Sequence, residues 1–244
     1  MNNNKKLIYL LPNFFTAASC FAGVVAVIAS INGSFSRALL FIFISLILDG
    51  LDGRVARLTN TTSKFGVEFD SLSDLVAFGV APAVYFYTAV GHNFGKMGIL
   101  VSALFVVFGA IRLARFNITT GTYEPNIFIG LPIPITALCL ALWVTFYLHY
   151  GAVKGVGVIL LLFALLLAFL MVSNIRYPSF KKIEFKKSYS MKILIFSIIF
   201  FGILYLKPLE FCLFLSTSYV IYGIARAFYN LFLAKKKEQQ DAEQ

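Results

Sequence analysis

Long apolar runs dominate the chain, and short polar or basic segments separate them. Roughly twenty apolar residues cross a bilayer as a helix, and runs of about that length fall at about 14–31, 36–58, 67–90, 97–116, 128–149, 154–173, 191–206 and 209–233. The runs are continuous rather than alternating and the connections are short, so helices are predicted and a β-barrel is excluded. Breakers fall between the runs. Asn32-Gly33 ends the first and Gly91-His92-Asn93 the third. Gly130-Leu131-Pro132-Ile133-Pro134 opens the fifth, Pro178 ends the link after the sixth, and Lys207-Pro208 separates the last two. The predicted fold is an all-α membrane bundle of about eight helices.

Composition agrees. The 244 residues are 59% hydrophobic and 13% charged, against about 25% charged in soluble domains. The net charge of +10 would suit nucleic acid, but the basic residues lie in short clusters between apolar runs. That pattern marks cytoplasmic loops facing anionic lipid and excludes a nucleic-acid partner. With the N-terminus in the cytoplasm, seventeen of the 21 Lys and Arg fall on that side, among them Arg54, Arg57, Lys64, Arg112, Arg115, Arg176, Lys181, Lys182, Lys186 and Lys187. Only Arg37, Lys96, Lys154 and Lys207 fall outside. Both termini are therefore expected in the cytoplasm, and the first run reads as a span rather than a cleavable leader. Cys20, Cys139 and Cys212 lie far apart in apolar runs, with neither pairing nor metal-type spacing.

Polar residues concentrate in the second to fourth spans. Residues 1–190 read as a catalytic core, 191–234 as an added helix pair, and 235–244 as a polar cytoplasmic tail without expected order.

Four of the five aspartates lie between Asp49 and Asp74, at the cytoplasmic ends of the second and third spans. Charge inside a membrane helix is costly and usually functional. Asp49 and Asp52 are three residues apart, and Gly53 and Ala56 continue the same face. Asp70 and Asp74 are four apart, with Gly66 one turn earlier. Two helices thus each offer a carboxylate pair beside small residues. Oxygen-only ligands suit hard cations such as Mg²⁺ or Mn²⁺ rather than zinc. The small residues leave room for a bulky diphosphate, and Arg57, one turn beyond Gly53, can neutralise phosphate. The same carboxylates would also serve a transporter's ion site, or pair as solvated helix ends with Arg54, Arg57 and Lys64.

Asp49-Gly50-Leu51-Asp52-Gly53-Arg54-Val55-Ala56-Arg57, eight residues, then Gly66-Val67-Glu68-Phe69-Asp70-Ser71-Leu72-Ser73-Asp74 resembles the full signature of the CDP-alcohol phosphotransferases, with every fixed position present. The resemblance implies six membrane helices around a polar cavity open to the cytoplasm. It implies Asp49, Asp52 and Asp70 as metal ligands, for one or two ions. Asp74 would be a further ligand, the general base, or both. Gly53, Ala56 and Gly66 would line the CDP site and Arg57 would contact it. Pro12-Asn13-Phe14-Phe15-Thr16 resembles a segment found in many members, and would bring Asn13 and Thr16 to the nucleotide or phosphates. Read alone, it is a helix start with a proline and a hydroxyl.

The signature leaves the acceptor alcohol open. Three further segments, at Ile111–Asn117, Phe128–Pro134 and Val172–Lys181, resemble those of the membrane-integrated members that use CDP-diacylglycerol and L-serine. That resemblance implies transfer of a phosphatidyl group to serine, with glycerol 3-phosphate or inositol phosphate as rival acceptors. It also implies a homodimer in a cytoplasmic membrane. Arg112 and Arg115, three residues apart, offer guanidinium forks for the serine carboxylate, and Asn117 an acceptor for its ammonium. Either arginine would equally serve as a cytoplasmic anchor. His92 and His149 are expected at the outer ends, too far from the aspartates to act as bases. Glu68 reads as a solvated helix end.

Overall fold

The computed structural model describes residues 3–59, 61, 63–119, 127–151, 155–178 and 190–242. Each predicted span contains a helix. Helix α1 runs Asn3–Ile31, α2 Phe35–Leu58, α3 Lys64–Asp74, α4 Ala81–Ala89 and α5 Lys96–Thr119. They are followed by α6 Ile133–Tyr150, α7 Val156–Val172, α8 Ser190–Leu206 and α9 Pro208–Ala242. Lys154, Lys181, Lys182, Lys186 and Lys187 lie outside the described residues. Among the described residues, five helical stretches are long and apolar enough to cross a membrane: Leu11–Ile31, Lys64–Ala89, Lys96–Thr119, Ile133–Tyr150 and Pro208–Asn230. Val156–Val172 and Ser197–Leu206 are shorter apolar helices. The chain is a multi-pass membrane protein.

The third span is not one regular helix. Leu75–Val80 is a π-helical turn joining α3 to α4, and the Ala81 amide donates to the Val76 carbonyl five residues back. Pro82 supplies a physical reason. It has no amide hydrogen for the Phe78 carbonyl, and its ring would press on that carbonyl in a regular helix, so widening the turn relieves both. The turn follows Asp74 directly, and Ala77 within it packs against α1 at Gly23, where a Cβ would come within 2.8 Å of the Ala77 Cα.

The contacts divide the chain into two compact units, residues 1–120 with 132–172, and residues 121–131 with 173–244. In the first, α1 and α2 lie together along their length. Ser19 and Ser45, both buried, link them through side chain-to-backbone bonds. Phe78, Tyr85 and Phe86 of the third span pack inside with Phe105, Ile133, Leu140 and Leu167. Phe14, Phe21, Ile28, Ile159 and Phe169 point outward, as lipid-facing residues do.

The second unit contains a feature the apolar pattern did not predict. Ile127–Ile129 (β1) pairs antiparallel with Arg176–Pro178 (β2), with Phe128 opposite Tyr177. The fifth span, expected from about residue 128, therefore starts at Ile133. Pro132 is extended at the helix N-cap, and a residue preceding a proline is held out of the helical region, which keeps 127–131 from joining α6. Tyr177 is fully buried, stacks on Tyr219 of α9 at 5.5 Å, and lies against Gly223 where any side chain would overlap its ring. The tail also differs from expectation, because α9 continues helical to Ala242. Its last turns, Ala-Lys-Lys-Lys-Glu-Gln-Gln-Asp-Ala, are mostly good helix formers. Extending an existing helix avoids the cost of nucleation.

Candidate functional site: a carboxylate cluster between α2 and α3

Asp49 and Asp52 sit near the C-terminal end of α2, and Asp70 and Asp74 on α3. Helix α3 begins cleanly because Ser63 caps it, its hydroxyl accepting the Gly66 amide at 3.0 Å. The carboxylates meet across the helices rather than along them. Asp49 comes within hydrogen-bonding reach of Asp74, and Asp52 within reach of Asp70. One oxygen each from Asp49, Asp70 and Asp74 lies within 4.8 Å of the other two.

Like charges this close, away from bulk water, repel strongly unless a cation lies among them. Among the described residues, Asp70 Oδ1 is buried without a hydrogen-bond partner. An oxygen-only trio with an unsatisfied buried carboxylate oxygen fits a hard divalent cation.

Asp52 is held differently. It is 6% exposed, and the Thr16 hydroxyl of α1 donates to its Oδ2 at 2.7 Å. Thr16 is itself buried, and its carbonyl accepts from Ser73 Oγ of α3 at 2.9 Å. Sequence reasoning brought Thr16 to the nucleotide; in the structure its hydroxyl is engaged with Asp52. Ser73 was missed. Its only signal was a small hydroxyl residue next to Asp74.

The small residues behave unequally. Among the described residues, a Cβ at Gly53 would meet nothing within 4 Å, so α2 presents open space beside Asp52. Gly66 is crowded instead: a Cβ there would lie 3.2 Å from Ser63 Oγ and 3.3 Å from Asn13 Oδ1. The lack of a side chain at Gly66 thus serves packing among α1, the cap and α3, and Asn13 is drawn to the same place. Ala56 is half-buried and Arg57 exposed at the end of α2.

The three residues expected at a serine site separate. Arg112 is 7% exposed on α5, acts electrostatically on both Asp49 and Asp74, and lies over the Phe116 ring at 5.4 Å. Arg115 points to α7, where it donates to the carbonyls of Val172 at 3.0 Å and Met171 at 3.3 Å. These belong to the last turn of α7, whose carbonyls have no partner within the helix, and a guanidinium is well suited to them. Asn117 ties α5 to α3, donating to Ser71 Oγ at 3.0 Å and Glu68 Oε2 at 3.3 Å. Of the three, the structure brings Arg112 to the carboxylates. His92 and His149 are exposed, at the short turn beyond α4 and at the last turn of α6.

Apolar spans close around paired carboxylates that fit a divalent cation, with open space beside them, on a membrane bundle. The chain belongs to the CDP-alcohol phosphatidyltransferase family, whose model matches residues 9–170. Among its relatives, the CDP-diacylglycerol–serine O-phosphatidyltransferase of Helicobacter pylori (strain ATCC 700392 / 26695) is 51% identical over 220 residues, covering 90% of this chain and 91% of that one. The enzyme of the same name from Bacillus subtilis (strain 168) is 35% identical over 70% of this chain and 92% of its own. An archaetidylserine synthase of Methanothermobacter thermautotrophicus is 37% identical over 73% of this chain and 74% of its own.

Proposed function

We propose that this chain transfers the phosphatidyl group of CDP-diacylglycerol to the hydroxyl of L-serine, giving phosphatidylserine and CMP. One observation carries the choice of acceptor: the 51% identity, over nine-tenths of both chains, to a relative named for that reaction. The geometry of the carboxylate cluster supports the chemistry.

In this reading Asp49, Asp70 and Asp74 hold Mg²⁺ or Mn²⁺, with Asp52 beside them. Bound there, the ion supplies neutralisation of the diphosphate and of charge growing on the leaving phosphate. The residues of the chain do the rest. The Gly53–Ala56 face of α2 receives the CDP moiety, and Arg57 reaches its phosphate. Arg112 meets the serine carboxylate and sets the hydroxyl toward the cluster. Asp74 takes the hydroxyl proton; a carboxylate has two oxygens, so one used as a ligand leaves the other for the proton. The serine oxygen forms a bond to the phosphorus bearing diacylglycerol, and the bond from that phosphorus to the oxygen of CMP breaks. The distribution of Lys and Arg supports both termini and the site facing the cytoplasm, and the cytoplasmic membrane is assigned by family. We assign a homodimer by family.

The test is CMP release from CDP-diacylglycerol by purified protein given labelled L-serine, glycerol 3-phosphate or inositol phosphate. Release and label transfer with serine are expected. Turnover only with another alcohol overturns the acceptor. Divalent-cation flux into proteoliposomes without CMP release overturns the enzyme reading in favour of a transporter.

A further inference from the structure

We propose that Thr16 is a positioning residue for the ion site: its hydroxyl fixes the Asp52 carboxylate, and the affinity of the neighbouring carboxylates for a divalent cation depends on that bond. The proposal rests on the ion-binding reading above and goes beyond it by giving an α1 residue control of the cluster. At 2.7 Å the contact has the length of a hydroxyl donating to a charged oxygen. Both partners are shielded, Thr16 at 3% and Asp52 at 6% exposure, so water competes little for either. The hydroxyl also sits 3.2 Å from the Pro12 carbonyl one turn back, which restricts its rotamer.

Thr16 touches both carboxylate-bearing helices. Its side chain donates to α2 at Asp52, and its carbonyl accepts from α3 at Ser73. Asp52 in turn reaches Asp70, the residue whose Oδ1 has no hydrogen-bond partner among the described residues. With one Asp52 oxygen held by Thr16, the side chain cannot swing freely, and its approach to Asp70 is set. Asp52, one contact removed from the ligand Asp70, is a partner of the kind that typically changes metal affinity by about 10–100-fold, and Thr16 acts through it. The burial of Thr16 argues against the direct nucleotide contact expected from sequence.

The test measures Mn²⁺ bound to purified full-length protein by the loss of the free-ion paramagnetic resonance signal, without lipid or serine. Thr16→Val keeps the shape and removes the donor, and is expected to weaken Mn²⁺ binding by about tenfold or more. Thr16→Ser is expected to retain most of the affinity. In an Asp52→Asn background Thr16→Val should add nothing, because its effect passes through Asp52. Wild-type Mn²⁺ affinity in Thr16→Val with a raised KM for CDP-diacylglycerol would overturn the proposal in favour of nucleotide contact. Additive losses in the double variant, at melting temperatures matching the single variants, would also overturn it, and if Thr16→Val is poorly folded, loss of Mn²⁺ affinity in well-folded Thr16→Ser does so instead. Absence of Mn²⁺ binding by wild type would sink the ion-binding reading itself, and a wrong acceptor alcohol would leave every one of these results unchanged.

Discussion

Ser19 of α1 and Ser45 of α2 exchange hydrogen bonds, each hydroxyl donating to the other's main-chain carbonyl, at 3.1 and 3.0 Å. Ser45 lies one helical turn from Asp49 and Ser19 about one turn from Thr16, so the exchange sits immediately beneath the carboxylates. Interhelical bonds of this kind are worth about 0.6 kcal/mol each in a membrane protein. Ser45→Ala should therefore lower the melting temperature only slightly and leave turnover near wild type. Ser45→Leu must push α1 and α2 apart, because Ser45 has no exposed surface, and should reduce CMP release much more. Melting and turnover in the same detergent preparation check both outcomes.

Neutralising one carboxylate should separate activity from stability. Asp49, Asp70 and Asp74 converge within 4.8 Å, so with the ion chelated away each charge repels the others. Asp70→Asn and Asp74→Asn are expected to melt at higher temperature than wild type in EDTA. Turnover in Asp74→Asn should fall by about 10²–10⁴-fold, as when a group that moves a proton is lost. Variants that lose activity by unfolding would instead melt lower.

The two arginines of α5 are predicted to fail differently. Arg112 is buried beside Asp49 and Asp74. Arg112→Lys keeps the charge and loses the fork, so it should raise the KM for serine with little change in the KM for CDP-diacylglycerol. Arg115 satisfies the end of α7. Arg115→Ala should lower the melting temperature by removing this partner from the half-buried carbonyls at the end of α7, with the serine KM unchanged. Steady-state kinetics with each substrate varied in turn distinguish the two.

Glycines 23 and 53 make a similar contrast. A Cβ at Gly23 would come within 2.8 Å of the Ala77 Cα, whereas Gly53 faces open space. Gly23→Ala should cost about 1–3 kcal/mol through overpacking, read as a lower melting temperature. Gly53→Val should fold normally and raise the KM for CDP-diacylglycerol, since its side chain would occupy the space assigned to the nucleotide.

Much of this was legible in the chain. Apolar run lengths located the spans because a membrane helix satisfies its backbone internally and leaves a continuous apolar stretch as its mark. The spacing of Asp49, Asp52, Asp70 and Asp74 located the cluster because three- and four-residue steps share a helix face. The cross-helix pairing of Asp49 with Asp74 was beyond reach, since it depends on how α2 and α3 face each other. The same holds for Arg115 and Asn117, whose partners on α7 and α3 lie more than 45 positions away. The π-helical turn had one local signal, Pro82, but such a residue more often simply opens a helix. The β1–β2 ribbon pairs residues about 50 positions apart, and three-residue strands carry no readable alternation.

Tyr177 yields a prediction about alkaline stability. It is fully buried and its hydroxyl has no hydrogen-bond partner among the described residues, and burial pushes its phenol up to about 12 from the ordinary 10. The folded protein thus holds this proton more tightly than the unfolded chain does. The stability linked to it is fully present below about pH 10, falls between about 10 and 12 as the unfolded chain ionises, and is gone above that range. Tyr177→Phe keeps the ring against Tyr219 and Gly223 and removes the ionisation. It should be more stable than wild type at neutral pH by about 1 kcal/mol, because a buried unsatisfied hydroxyl is lost. Its advantage should grow between pH 10 and 11, where wild type weakens. Unfolding in mixed micelles at pH 8, 10 and 11 measures the difference, and an advantage that shrinks with rising pH would contradict the assignment.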